Sequence, residues 1–181
     1  MHPDHIGGLL NGDLATFPNA VVRIDQHDVE HWLSEANLAN APEEAKRFFI
    51  GAMISVKPYI NSGRLKPFDG DTDLVPGIKA ISTRGHTPGH SIYLVESKGQ
   101  KLMIWGDLMH VAAVQFDEPD ITLVYDTDSK KAAAQRKKAY ADAVKQGYLV
   151  GAAHLSFPGL GHLRTLGKGY SWLPVNYTVL P

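Results

Sequence analysis

The sequence predicts a layered α/β domain, and three observations carry that prediction. Short β-rich runs alternate with segments of helical period along the chain. Several histidines fall where strand-like runs end in loops containing Gly, Pro or Asp, which is where layered α/β folds collect ligands and catalytic groups. With 181 residues, 44% of them apolar and 20% charged, the chain is long enough to bury a real core, and one domain over 1–181 is expected.

Taken in order, Ala20 to Ile24 reads as a short buried strand and Asp28 to Ser34 as a helix with an acidic first residue. Pro42 starts a second helix, in which Glu43 and Glu44 favour the positive end of the helix dipole. Phe48, Phe49, Ala52, Met53 and Val56 then recur at helical spacing until Asn61 to Gly63 ends the run. The middle of the chain changes period. Arg64 to Phe68, Ile78 to Ser82, Ser91 to Glu96 and Lys101 to Trp105 are β-rich runs separated by turn residues, and together they predict a sheet. Asp128 to Gln146, rich in alanine and charge, is the clearest helix, with Gly147 placed to cap it before a strand over Tyr148 to Ala152. A last strand is expected over Tyr170 to Val179, with Pro174 favouring an edge position or a bulge.

A net charge of -1 gives no electrostatic case for binding nucleic acid or an anionic membrane. No apolar run approaches the roughly 20 residues that a membrane-spanning helix needs. Cysteine is absent, which excludes disulfides, thiolate metal sites and a cysteine nucleophile, so any metal must be held by histidine and carboxylate.

Four stretches carry candidate chemistry. Met1 to Gly8 reads M-H-P-D-H-I-G-G; in an extended loop His2 and Asp4 project to one side and His5 to another, giving two adjacent metal points, while Gly7 and Gly8 let the chain turn away. Gly85-His86-Thr87-Pro88-Gly89-His90 follows a strand, so that His86 sits in a tight loop as a ligand and His90 supports it at the next strand. Asp107 follows Trp105-Gly106 at the end of a β run, where a carboxylate can bind one cation with each oxygen. His154 follows the strand after the long helix, and His162 is a weaker candidate in a Gly-rich loop.

Together these stretches resemble the metallo-β-lactamase superfamily signature: H-x-H-x-D-H, then a Gly-His loop, Gly-Asp and a late His. The resemblance implies an αββα sandwich and two divalent metal ions, zinc first among them, held by His2, Asp4, His5, His86, Asp107 and His154. It implies a hydrolase in which metal-bound hydroxide attacks an ester, lactone or phosphotriester, with Asp4 orienting it and Asp107 bridging the metals. More narrowly, Arg64 to Gly70, Trp105 to Phe116, His154 to His162 and Pro174 to Tyr177 resemble the methyl parathion hydrolase branch, which includes relatives of the homoserine lactonases. In that branch aromatic residues pack on the leaving group, and Trp32 and Phe49 fall at the corresponding places; Phe49 also lies in the apolar stripe of its helix and fits a core role as well.

The full signature places one more His two positions before His2, behind strands of a first sheet layer, so the sequence is expected to be an N-terminally truncated form of the sandwich. Either it is a fragment of a longer reading frame, or a homodimer or another chain covers the bare apolar face. The first metal position, left with His2, His86 and shared Asp107, is expected to be weaker than the second, with Asp4, His5, Asp107 and His154. The alternative to an enzyme is a metal-binding fragment with an incomplete dinuclear site and no catalysis.

Overall fold

The computed structural model describes residues 1–176. The part of the expected last strand from Tyr177 to Val179 lies outside the described residues. The chain divides into two compact units, Met1–Gly70 with Thr87–Gly89, and Asp71–His86 with His90 onward.

The first unit is helical. Its elements are α1 (Pro3–Ile6), the two-residue strands β1 (Leu10–Asn11) and β2 (Leu14–Ala15), then α2 (Gln26–Trp32), α3 (Glu35–Asn40) and α4 (Glu43–Asn61). α4 begins where the sequence places it, with Pro42 at its N-cap, and it buries Phe49, Ala52, Val56 and Tyr59. These residues stand at helical spacing on one stripe, which joins Met1, Ile24 and Trp32 in a single apolar cluster. α2 starts two residues earlier than expected because Asp25, not Asp28, caps it: the Asp25 carboxylate accepts the His27 N–H. Asp28 is instead a buried anchor that accepts from the Met1 ammonium at 2.7 Å and from the Gly89 N–H at 2.6 Å. Gly89 has to be glycine here, since a Cβ would lie 2.6 Å from the Asp28 nitrogen.

The expected strand at Ala20 to Ile24 does not form. Val22 and Asp25 make only isolated parallel bridges to Leu65 and Phe68, so Arg64 to Phe68 is no strand either. The two segments exchange a few hydrogen bonds, for example from Lys66 N–H to Val22 O at 2.9 Å, and among the described residues neither pairs with a further strand. Two short segments without further partners cannot propagate a ladder.

The second unit holds a seven-stranded sheet in chain order: β3 (Thr72–Val75), β4 (Ile78–Ser82), β5 (Ser91–Ser97), β6 (Gln100–Ile104), β7 (Leu149–Gly151), β8 (Leu160–Leu166) and β9 (Gly169–Pro174). All neighbours are antiparallel except β6 and β7, which run parallel with Ile104 opposite Gly151. A parallel pair needs a long crossover, and this one contains α5 (Ala112–Gln115) and α6 (Ser129–Gln146). α6 ends as its sequence predicts, at Gly147 in the left-handed conformation at φ 65°, and at its start the Asp128 carboxylate caps it by accepting the Lys131 N–H. Its Ala139, Tyr140 and Ala143 pack with Ile92, Met103, Val150 and Leu163 of the sheet, and the Trp105 ring stacks on Tyr140 at 5.2 Å.

The opposite face of this sheet remains apolar but partly bare: Ile78 is 36%, Ile104 40% and Leu173 39% exposed. β3 and β8 were not expected, and β9 ends at Pro174 on the sheet edge, where a missing N–H is tolerated. Among the described residues no helix is long and apolar enough to cross a membrane.

Candidate metal centre

In the first unit His2, Asp4 and His5 do not lie on an extended loop. Pro3 occupies the first position of α1, and the His2 carbonyl accepts the N–H groups of His5 at 3.1 Å and Ile6 at 3.2 Å. A proline at that position pre-sets helical φ, so a helical turn replaces the expected alternation. The consequence is a different partition. His2 is buried between Trp32, edge-on at 5.2 Å, and Phe48, at 5.0 Å, whereas Asp4 and His5 are exposed and neighbour each other at 3.3 Å. Gly7 has an ordinary helical φ of -57°, so the expected sharp turn at this glycine is not made.

Trp32 and Phe49 are 4% and 5% exposed with ring centroids 4.7 Å apart, and both belong to the apolar cluster of this unit. The indole N–H of Trp32 has no hydrogen-bond partner among the described residues.

The second unit brings His86, Asp107 and His154 together from three loops. β6 and β7 run parallel, and their C-terminal ends deliver Asp107 and His154 side by side; the Trp105 N–H donates to Gly151 O at 2.8 Å to lock the two ends. Asp107 is buried in a short 3-10 turn, Gly106–Leu108, and Gly106 enters that turn at φ 53°. Each Asp107 oxygen addresses a different imidazole: Oδ1 lies 2.7 Å from His154 Nε2 and Oδ2 lies 3.1 Å from His86 Nε2.

His86 follows Gly85, whose Cα is pressed against α6, since a Cβ there would lie 2.3 Å from the Ala132 nitrogen. The Gly85 carbonyl accepts from Asp128 N–H and from the Thr127 hydroxyl, which straps the loop to the start of α6. His86 Nδ1 lies 2.8 Å from Asp126 Oδ1, and a carboxylate at that atom assigns the ring proton to Nδ1. Burial works against charge on His86, but the hydrogen bonds and charges of Asp107 and Asp126 outweigh it, and its pKa is raised. Burial likewise disfavours the Asp126 carboxylate, yet His86 and the Leu123 N–H hold its pKa below the usual range.

His90 supports the site as expected, without joining the donors. Its Nδ1 bonds the Thr83 hydroxyl at 2.8 Å, and its Nε2 accepts the Asp107 N–H at 3.2 Å. His162 stands apart, bonded to the Tyr148 carbonyl at 3.1 Å.

Sequence reading missed His110. It follows Asp107 by three residues in a short turn, its Nε2 is 3.4 Å from Asp107 Oδ1, and its ring stacks on His154 with centroids 4.5 Å apart. Burial, only partly offset by Asp107, pushes its pKa down to about 4, so it is a neutral imidazole, and its Nδ1 has no hydrogen-bond partner among the described residues. The signal was a histidine inside a stretch already singled out; Asp126, 40 residues from His86, left no local trace.

These donors fit a divalent cation. With the Nδ1 proton directed to Asp126, His86 Nε2 is the ring atom that would turn its lone pair to a cation shared with Asp107 Oδ2, 3.1 Å away. Neutral imidazoles and a buried carboxylate make a hard-to-borderline N/O donor set suited to zinc and its neighbours.

The family model described as the Metallo-beta-lactamase superfamily matches residues 1–154. The chain belongs to that superfamily. A hydrolase of the beta lactamase superfamily, AbOPH, has a crystal structure that superposes with a TM-score of 0.89 and 35% identity, covering 98% of this chain and 62% of that one. AidC, a dizinc quorum-quenching lactonase solved with the product N-hexanoyl-L-homoserine, superposes with a TM-score of 0.85 and 28% identity, covering 98% and 63%. An N-acyl homoserine lactonase of Bacillus sp is 32% identical over 98 residues, which are 54% of this chain and 31% of that protein. The chain of this superfamily member thus spans less than two thirds of the solved structures it matches and about a third of that lactonase.

Proposed function

We propose that the chain is the metal-binding part of a metal-dependent hydrolase acting on an ester, lactone or phosphotriester. One observation carries this reading: a buried aspartate, Asp107, turns its two oxygens to two different histidines, His154 and His86. That is the arrangement a carboxylate needs to serve two cations at once. In this reading His2 joins His86 and Asp107 at one metal position, and Asp4 and His5 join Asp107 and His154 at the other, the better supplied of the two. Superfamily membership and the signature order support this assignment.

Divalent cations held there, zinc first among them, supply the charge that polarises the scissile bond and acidifies water. The chain's own residues do the rest. Asp126 keeps His86 in the tautomer whose Nε2 is free of a proton, His90 fixes the turn that carries Asp107, and the neutral His110 presents imidazole, not imidazolium, beside the reacting group. Asp4, exposed on its helical turn, would hold metal and help orient the attacking water, as the superfamily signature implies. Trp32 and Phe49 would flank the leaving group by the resemblance, and their burial in the apolar cluster of their unit fits a core role as well.

Lactones head the substrate classes because relatives carry that activity in their names, and the Arg64 to Gly70 and Trp105 to Phe116 stretches, which resemble the methyl parathion hydrolase branch, keep phosphotriesters beside them. The test is a metal assay of the purified chain combined with hydrolysis of an N-acyl homoserine lactone, an aryl ester and a paraoxon-like phosphotriester, with and without added Zn2+. Metal-dependent turnover of any of them is the expected result. Bound metal with no turnover of any would support the alternative, a non-catalytic metal-binding fragment.

A further inference from the structure

We propose that Arg136 is a positioning residue for the metal centre, acting through Asp126 on His86 and through the Leu108 carbonyl on Asp107. The proposal rests on the reading of His86 and Asp107 as metal ligands. Arg136 is 1% exposed and lies on the face of α6 that otherwise packs with alanines and Tyr140. A guanidinium there loses its hydration, and an apolar residue of similar volume would fill the space at lower cost. Its donors show what the charge is for.

Nε donates to Leu108 O at 2.8 Å, the carbonyl next to Asp107. Nη1 donates to Pro119 O at 2.8 Å and to Ile121 O at 2.7 Å. Nη2 lies 4.0 Å from Asp126 Oδ2, while the other Asp126 oxygen meets His86 Nδ1. Ile121 O also accepts from Gln115 Nε2 at 3.0 Å, and Gln115, itself fully buried, accepts the N–H groups of His110 and Val111 through Oε1. Arg136 thus holds the segment that bears Asp107 directly, meets His86 through Asp126, and shares the Ile121 carbonyl with Gln115, the partner of the His110 N–H.

The tautomer of His86 gives the proposal a sharp chemical consequence. Asp126→Asn keeps the volume and can keep the bond from the Leu123 N–H, but it turns an amide donor toward Nδ1. His86 then accepts at Nδ1 and carries its proton on Nε2, where the ligand lone pair belongs.

The test titrates Co2+ into metal-free wild type, Asp126→Asn, Arg136→Met and Arg136→Lys, reading the visible absorption of the bound ion, and records the melting temperature of each protein without metal. The expected result is a Co2+ affinity about 10–100-fold lower in Asp126→Asn and Arg136→Met, with an altered spectrum and partial recovery in Arg136→Lys. Asp126→Asn, being isosteric, is the variant that stays folded should Arg136→Met not. Wild-type Co2+ affinity and spectrum in Asp126→Asn, or in a folded Arg136→Met, would overturn the positioning role while leaving the metal reading intact. A wild-type chain that takes up no Co2+ would overturn the metal reading, and the proposal with it.

Discussion

His154 Nε2 lies 2.7 Å from Asp107 Oδ1 although the two residues are 47 apart in the chain, because they leave neighbouring parallel strands at the same end. In the proposed function both metal positions would depend on this one carboxylate. Asp107→Asn replaces one charged oxygen with an amide and is expected to lower the tightly held metal to less than one equivalent and to abolish hydrolysis. Elemental analysis of dialysed protein checks the first, the substrate panel the second. Removal of metal from the wild type by a chelator, followed by restoration with Zn2+, is expected to reproduce the same loss reversibly.

His110 stands against the donors with one ring nitrogen unpaired. His110→Phe keeps the stack on His154 and removes both nitrogens. The metal content should be unchanged and kcat should fall about 100-fold, the scale of a lost proton-transfer or polarising group. Thermal stability should hold or rise, since a buried polar atom without a partner disappears. Loss of metal in this variant would instead make His110 a ligand.

Gly85 leaves no room between the His86 loop and α6. Gly85→Ala must push the loop away from Ala132, at a cost of about 1–3 kcal/mol typical of overpacking, and must displace His86 with it. A chemical denaturation curve and a metal titration should therefore move together. A Gly85→Ala protein with normal stability and metal affinity would show that the loop has slack.

Asp28 gives the first unit its acid sensitivity. Burial raises its pKa, but the Met1 ammonium, the Gly89 N–H and the Thr87 hydroxyl more than compensate, and the net shift is downward. A lowered folded pKa means that the carboxylate contributes stability at all pH values above the ordinary carboxylate range near about 4, and that this contribution fades as pH falls through the folded value. Asp28→Asn should lose about 3 kcal/mol or more at neutral pH, because it leaves a buried ammonium unpaired, and should flatten the acid limb of a urea-midpoint profile below the ordinary carboxylate range. Parallel profiles for the two proteins would sink this account.

Much of this arrangement was legible in the sequence, and the rest was hidden for physical reasons. α4 and α6 could be read because their signals are local: an apolar stripe behind Pro42, and an alanine-rich run between Asp128 and Gly147. His86, Asp107 and His154 could be read because glycine and strand ends mark loops. The α1 turn was misread although Pro3 stood in the position that starts a helix. Val22 and Ile24 look like a strand because they are apolar and β-branched, yet a strand also needs partners, and no local pattern reports how many a segment will find. β8 hid behind His162 and Arg164, polar residues on its second face, and a glycine. The network below His86 and Asp107 was least visible: Asp126 looks like an ordinary charge before a helix and Arg136 like one within it, and only the fold shows them buried against His86 and Leu108.

The pairing of Ile104 with Gly151 has a consequence for how such a site can diversify. The spacing of Asp107 and His154 is inherited from backbone hydrogen bonds that lie outside the site and are indifferent to side-chain identity. Substitutions in the surrounding loops can change what fits beside the donors without detuning the donors themselves. A shift of one residue along that pair would turn every side chain of β7 to the opposite face and carry His154 away from Asp107. The chemistry is thus kept in alignment by a part of the molecule that takes no share in it.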